Sequence, residues 1–358
     1  MPRLVPVVDQ LREVARANGI DALGVAGAEP FDDTRHLLEE RKAAGLHGGM
    51  QFTYRKPARS TDPSLIVPGA RAIVVGARSY RTPASARPMG EPVGRVARYA
   101  QVDHYAALRA GLDAVATVLR DAGWTARVVA DDNALVDRAA AWRAGLGWYG
   151  KSANILLPGW GSWFVLGSVV TDAPLPTAVA PIADGCGSCT QCLDGCPTGA
   201  IVAPGVVDAR RCLAWLVQAP GAFPVPFRAA LGDRIYGCDD CQEVCPPNRT
   251  LDRRHPLADP AVGDSFESTR QAWVPLLALL EATDESLLEA HGRWYVPQRD
   301  PRYLRRNALL ALGNVARPDD EDVMRVLRHH ADGDDELLAE HARWAVQRLA
   351  ERGADADR

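Results

Sequence analysis

Residues 184–197 read D-G-C-G-S-C-T-Q-C-L-D-G-C-P, which sets Cys186, Cys189, Cys192 and Cys196 at spacings C-x2-C-x2-C-x3-C with a proline straight after the last. A second group, Cys238, Cys241 and Cys245, follows as C-x2-C-x3-C-P, and Cys212 stands between the two groups. All eight cysteines of the chain lie between positions 186 and 245. Buried structural cysteines would scatter through every apolar segment, so this clustering marks a shared chemistry. Disulfides need an oxidising compartment and are most useful to chains too short for a core. Structural zinc takes paired knuckles a dozen or more residues apart. Iron-sulfur ligation fits better: C-x2-C-x2-C wraps three thiolates round one cube, and C-x3-C-P sends the fourth toward a second cube. On that logic Cys186, Cys189, Cys192 and the distant Cys245 hold one [4Fe-4S] cluster, while Cys196, Cys212, Cys238 and Cys241 hold another. The C-x3-C-x2-C spacing of radical enzymes is absent.

A chain of 358 residues with 47% hydrophobic content can fill more than one core. No run of about 18 apolar residues is present, and the N-terminal M-P-R-L-V-P-V-V-D-Q lacks the apolar block of a secretory signal. A cytoplasmic protein that engages no membrane is expected. The net charge of −4 identifies no partner. Only three lysines occur, Lys42, Lys56 and Lys151.

Before the cysteines, helical and strand patterns alternate. Val5–Asn18 has helical apolar spacing and ends at Gly19; Ala22–Ala26 and Ala70–Ala77 read as buried strands. Residues 81–95 read as a Pro/Gly-rich loop with little to pack. Tyr105–Ala122 reads as helix, Trp124–Ala130 as strand, Leu135–Ala144 as helix and Trp163–Thr171 as strand. Proline-punctuated residues after Thr171 mark a boundary. Residues 274–290 and 302–352 read as helical throughout, with a partial echo about 37 residues apart that suggests stacked helical hairpins. The expected fold class is α+β: an α/β domain over 1–178, a ferredoxin-like two-cluster domain over 179–250 and a helical HEAT-like domain over 251–358.

Two clusters alone need only a short chain, so the long α/β segment is expected to hold what they feed. In V-V-A-D-D-N-A-L-V-D-R (128–138), Asp131 falls where strand gives way to helix. It could deliver a proton into a cleft, or one of Asp131, Asp132 and Asn133 could cap the helix. Lys151 in G-W-Y-G-K-S-A-N could meet an anionic substituent of a ligand, and the aromatic stretch 159–165 could line a flat cofactor or fill the core.

Taken in order, these segments resemble one family. G-R-V-A-R-Y-A around Arg98, A-G-L-G-W-Y-G-K (144–151), G-S-W-F-V-L-G-S (161–168), the two cysteine segments and Y-L-R-R-N-A-L-L-A-L-G-N (303–314) together resemble the cobalamin-dependent iron-sulfur tRNA epoxyqueuosine reductases. The resemblance covers nearly the whole chain. It implies a corrinoid held in a nitroreductase-like domain beside the clusters, with electrons from an external donor producing cob(I)alamin, which attacks the epoxide of epoxyqueuosine at the tRNA wobble position. The product is queuosine. It also implies that Asp131 is the proton donor and that Arg98, Asp131, Lys151, Asn154 and Asp239 lie at the corrinoid. The family's V-D-[ST]-[GA]-P has Ala134 in place of proline here, and D-D-N makes Asp132 a competitor for the donor role. The family's D-Y-H is Asp103, His104, Tyr105 in this chain.

Residues 292–307 carry five arginines against one aspartate with aromatics between them. This suits phosphate contact and base stacking, so Arg299, Arg302, Arg305 and Arg306 are expected to meet a tRNA with a GUN anticodon. Pairing of these arginines with the acidic 318–336 stretch is the structural alternative. A monomer is expected. A dehalogenase-like reductase of small molecules and a plain two-cluster electron carrier stand as competing readings.

Overall fold

An apolar run without polar alternation, such as A-I-V-V-G-A-R-S at 72–79, has to be covered on both faces. The computed structural model, which describes residues 6–83, 85–177, 182–257 and 271–356, shows how. Strands β1 (Ala22–Gly27), β2 (Ala72–Ser79), β3 (Ala126–Ala130) and β4 (Phe164–Thr171) form an antiparallel sheet in the order β1-β2-β4-β3. Side chains alternate between two cores. Ile73, Val75 and Ala77 join Phe31, Leu135 and Ala139–Ala141 on one face. Ala72 and Val74 meet Leu11, Leu108, Leu112 and Val115 on the other. The covering helices are α1 (Val8–Ala17) and α2 (His104–Asp121) on that second face, and α3 (Asp137–Arg143) on the first. The fold is mixed α+β. The expected start of the first helix at Val5 and the expected boundary at 178/179 lie outside the described residues.

One expectation is corrected here. Within the supposed loop 81–95, Val93–Val96 is a strand, with Val93 and Val96 each 1% exposed. It pairs in parallel with Arg234–Tyr236 and antiparallel with Trp273–Pro275. Both partners lie more than 130 residues away, so nothing local in the sequence announces the pairing. This three-stranded sheet draws one strand from each of the three expected domains. Its residues Val96, Ile235, Tyr236 and Val274 share a core with the C-terminal helices.

The stretches read as helical throughout are interrupted. Trp273–Pro275 is the strand just described, and Leu276–Glu281 is separated from Asp284–His291 by an extended Ala282. Beyond them lie α4 (Arg302–Val315), α5 (Glu321–Ala331) and α6 (Glu336–Ala356). Helix α4 is buried along most of its length, polar residues included. Asn307 donates to the carbonyls of Val217 (2.8 Å) and Ile235 (3.1 Å), and Asn314 to those of Arg228 (2.8 Å) and Gly232 (3.2 Å). The helix thereby fixes the chain between Cys212 and Cys238. Among the described residues, no helix is long and apolar enough to cross a membrane.

Candidate active site

The eight thiols are free, and each is partly buried. Their mutual influence separates them into two sets. Burial raises the Cys192 thiol, and neighbouring Cys186 and Cys189 raise it further. Cys245 is pushed up to about 11 by burial, with Cys186, Cys192 and Cys189 adding to it. In the other set, burial raises Cys212 with help from Cys196, and pushes Cys238 up to about 12 with Cys212 among its neighbours. Cys241 stands well above the ordinary thiol range through burial, next to Cys238, Cys212 and Cys196. Burial would raise Cys196 too, but backbone N–H groups around Thr198 and Ala200 lower it; the Ala200 N–H lies 3.2 Å from its sulfur. Repelling buried thiols become thiolates only beside a cation, which bound iron supplies.

Buried amides tie the cysteine segments to residues flanking β2 and β4. Gln242 Nε2 donates to Tyr80 Oη, Ser162 O and Ser162 Oγ, each at 3.0 Å. Asn248 donates to Ser162 Oγ (3.0 Å) and Gln242 O (2.8 Å), and accepts from Ser162 N (2.7 Å). Lys151 Nζ donates to the carbonyls of Gly187 (2.7 Å) and Cys189 (2.8 Å). Its charge therefore braces the first cysteine loop, where the sequence suggested a ligand's anionic group. Asn154 Nδ2 lies 3.9 Å from Cys241 Sγ, facing the second set.

Asp131 terminates β3 in a left-handed conformation, φ 52°, unusual for a residue with a side chain. Its carboxylate is 53% exposed and sits 3.9 Å from Arg109. Partial burial raises its pKa, Arg109 opposes the rise, and Asp103 and Asp132 reinforce it. Asp132 is committed elsewhere: its Oδ1 accepts from Ala134 N at 2.8 Å in an Asx turn. Helix α3 begins later than expected, at Asp137, and no side chain caps it. The capping alternative for Asp131 thus falls away. Sequence reasoning missed the neighbours. Arg109 bonds Ala130 O (3.1 Å) and lies over the Tyr105 ring. Asp137 has a buried Oδ1 without a partner, and burial next to Asp131 holds its carboxyl well above the usual range. The helical spacing Tyr105, Arg109 was the only available signal.

Arg98 and Asp239 meet directly, Arg98 N donating to Asp239 Oδ2 at 2.8 Å. Burial pushes the Asp239 carboxyl up to about 6, against the lowering effect of that N–H. The Arg98 guanidinium reaches Thr82 O (3.3 Å) and lies 4.5 Å over the Trp163 ring. Around it, Thr82 Oγ1, Asp239 Oδ1 and Trp163 Nε1 are buried without hydrogen-bond partners. Unmet donors and acceptors of this kind suit a ligand with a polar rim. A cavity of about 10 Å³ beside Asp239 has room for one water. A groove of about 410 Å³ along the outer edge of β1 contains none of these residues. In the aromatic stretch, Trp163 is core at 1% exposure while Trp160 is 49% exposed.

The arginine strip is less available than its composition suggests. Arg306 is completely buried and donates to the carbonyls of Leu216, Val217, Ala219 and Gly221. It cannot meet a phosphate, and this expectation is corrected. Arg305 reaches Asp284 (2.5 Å) and Ala282 O (2.7 Å). Arg302 pairs with Asp300 (2.7 Å) and Asp335 (3.4 Å), and Arg299 donates to Gly292 O (3.2 Å).

Residues 185–248 match the model of the 4Fe-4S double cluster binding domain. Epoxyqueuosine reductase of Xanthomonas campestris pv. campestris is 36% identical over 347 residues, covering 94% of each chain. The chain belongs to the epoxyqueuosine reductase family. A crystal structure of epoxyqueuosine reductase with an epoxyqueuosine-modified tRNA-Tyr stem loop is similar at TM-score 0.84 and 32% identity, over 96% of this chain and 90% of that one. The Bacillus subtilis epoxyqueuosine reductase, solved with an aspartate-bearing catalytic loop swung out of the active site, is similar at TM-score 0.83 and 31% identity, over 96% and 90%. The eight cysteines thus form the double-cluster domain of an epoxyqueuosine reductase.

Proposed function

We propose that this epoxyqueuosine reductase converts epoxyqueuosine to queuosine at the wobble position of a GUN-anticodon tRNA, with Asp131 as proton donor and a corrinoid beside two [4Fe-4S] clusters. Converting the epoxide to an alkene takes two electrons and two protons and releases one water. Bound here, the corrinoid supplies a reduced nucleophilic metal centre, and the clusters supply electrons from an external donor. The reading is carried by a half-exposed, upward-shifted carboxyl at the end of β3 together with eight clustered thiols in a chain of this family. Cys186, Cys189, Cys192 and Cys245 hold one cluster; Cys196, Cys212, Cys238 and Cys241 hold the other. Arg98, Asp239 and Asn154 line the corrinoid in a nitroreductase-like domain, and Lys151 steadies the first cluster's loop. The C-terminal helices act as a HEAT-like platform on which Arg299 faces the tRNA.

Asp131 holds a proton at neutral pH more readily than an ordinary carboxyl, and its exposed side leaves a path to the epoxide oxygen. Arg109 then stabilises the carboxylate left behind. Anaerobically reconstituted protein is expected to bind about eight irons and to change the spectrum of added cob(II)alamin. Eight irons with an unaltered cobalamin spectrum would favour the electron-carrier reading.

A further inference from the structure

Between the helix Asp32–Ala43 and strand β2 lies a basic segment that the reaction does not use. Residues 51–59, Q-F-T-Y-R-K-P-A-R, carry three cations and no acid. Phe52 is 43% exposed, an uncommon position for a phenyl ring without a partner surface. Arg55, Lys56 and Arg59 are exposed, and among the described residues none has an ion pair or a side-chain hydrogen bond. The contrast with the C-terminal arginines is direct, since Arg302, Arg305 and Arg306 are all taken by internal partners.

Position makes the segment relevant. Residues 57–60 form a single turn, and Ser60 Oγ donates to Asn133 O at 2.5 Å while Val136 N donates to Ser60 O at 3.1 Å. The basic segment is therefore fastened to the loop that begins at Asp131. Its other end is fastened to the segment of Cys212: Trp215 Nε1 donates to Gly48 O at 2.9 Å, and Ala209 N to Leu46 O at 2.8 Å. Gly48 allows this approach. Its φ is +58°, and a Cβ there would lie 3.0 Å from Arg210 N. Between the two anchors, Tyr54 packs against His47 with ring centroids 5.6 Å apart, which leaves Phe52 and the cations on the outer side.

Accepting the RNA substrate of the preceding section, we propose that Phe52, Arg55, Lys56 and Arg59 form a second nucleic-acid contact at the rim of the active site. Phe52 stacks on an unpaired anticodon-loop base next to the modified nucleoside, and the three cations take backbone phosphates. Free cations next to an exposed ring are what single-stranded RNA requires, because phosphates supply affinity and splayed bases offer π faces. A rim contact also holds the loop in register with Asp131, which a platform built on distant helices does less directly.

The test is fluorescence anisotropy with a fluorescein-labelled tRNA anticodon stem-loop bearing a GUN anticodon, titrated with holoenzyme from about 50 to 200 mM salt. Relative to wild type, the Arg55→Ala/Lys56→Ala/Arg59→Ala variant is expected to bind about tenfold or more weakly and to flatten the slope of log K against log salt by about 2. Phe52→Ala is expected to weaken binding by about 5-fold to 100-fold with the slope unchanged. Iron content and cluster spectra equal to wild type would show that both variants fold. Wild-type affinity and slope in the triple variant, with the wild-type protein binding, would overturn this surface and leave the substrate assignment standing. A wild-type protein without salt-dependent binding would overturn the RNA substrate itself, and this surface with it.

Discussion

Between Cys241 and Cys245 the chain is pinned by Gln242, whose buried amide makes three 3.0 Å bonds to Tyr80 and Ser162. At Asp131 itself the chain has less: a left-handed residue, an Asx turn through Asp132 and one 3.9 Å ion pair to Arg109, with the bonds to Ser60 made only from Asn133 and Val136 onward. The two regions serve opposite needs. Buried, fully satisfied polar networks rigidify, which keeps two sets of four thiols in place for metal. A proton donor needs water to recharge it and room to reach its acceptor, so it belongs on lightly tied backbone.

Four substitutions probe this contrast, from the largest expected effect to the smallest. Cys196→Ser should abolish turnover and remove the cluster that also uses Cys212, Cys238 and Cys241, leaving about half the iron. EPR in which the other cluster disappears would refute the crossed ligation. Asp131→Asn should keep both clusters and lower turnover by about 10²–10⁴-fold; wild-type rates would remove Asp131 from the donor role. Arg109→Ala should shift the pH profile. The protonated carboxyl is the active form, so activity falls as pH rises through the Asp131 pKa; Arg109 lowers that pKa, and its loss should carry the falling limb to higher pH. A limb that stays in place or moves down would contradict the pairing. Asp132→Asn preserves an acceptor for Ala134 N and should change turnover by no more than about 2-fold. A loss matching that of Asp131→Asn would mean that the two carboxylates share the task.

Much of this was legible because it was local. The cysteine spacings, the apolar runs of β2 and β4 and the strand end at Asp131 are each written within a dozen residues. What escaped was nonlocal. The strand Val93–Val96 exists only because residues 234–236 and 273–275 arrive beside it. Arg306 looks like a phosphate ligand in a basic, aromatic stretch, yet it is turned inward by four carbonyls from residues 216–221. Composition cannot tell a free guanidinium from one already occupied. Lys151 likewise has a partner that composition does not announce: its charge satisfies the carbonyls of Gly187 and Cys189.

The central claim is that Asp131 and the two clusters jointly reduce an epoxide on tRNA. Its most direct measurement is nucleoside analysis by mass spectrometry after anaerobic incubation of the cluster-loaded protein with cobalamin, a chemical reductant and epoxyqueuosine-containing tRNA. Loss of epoxyqueuosine with matching gain of queuosine, dependent on added cobalamin, is the predicted result. Unchanged epoxyqueuosine with both clusters and the corrinoid loaded would contradict it.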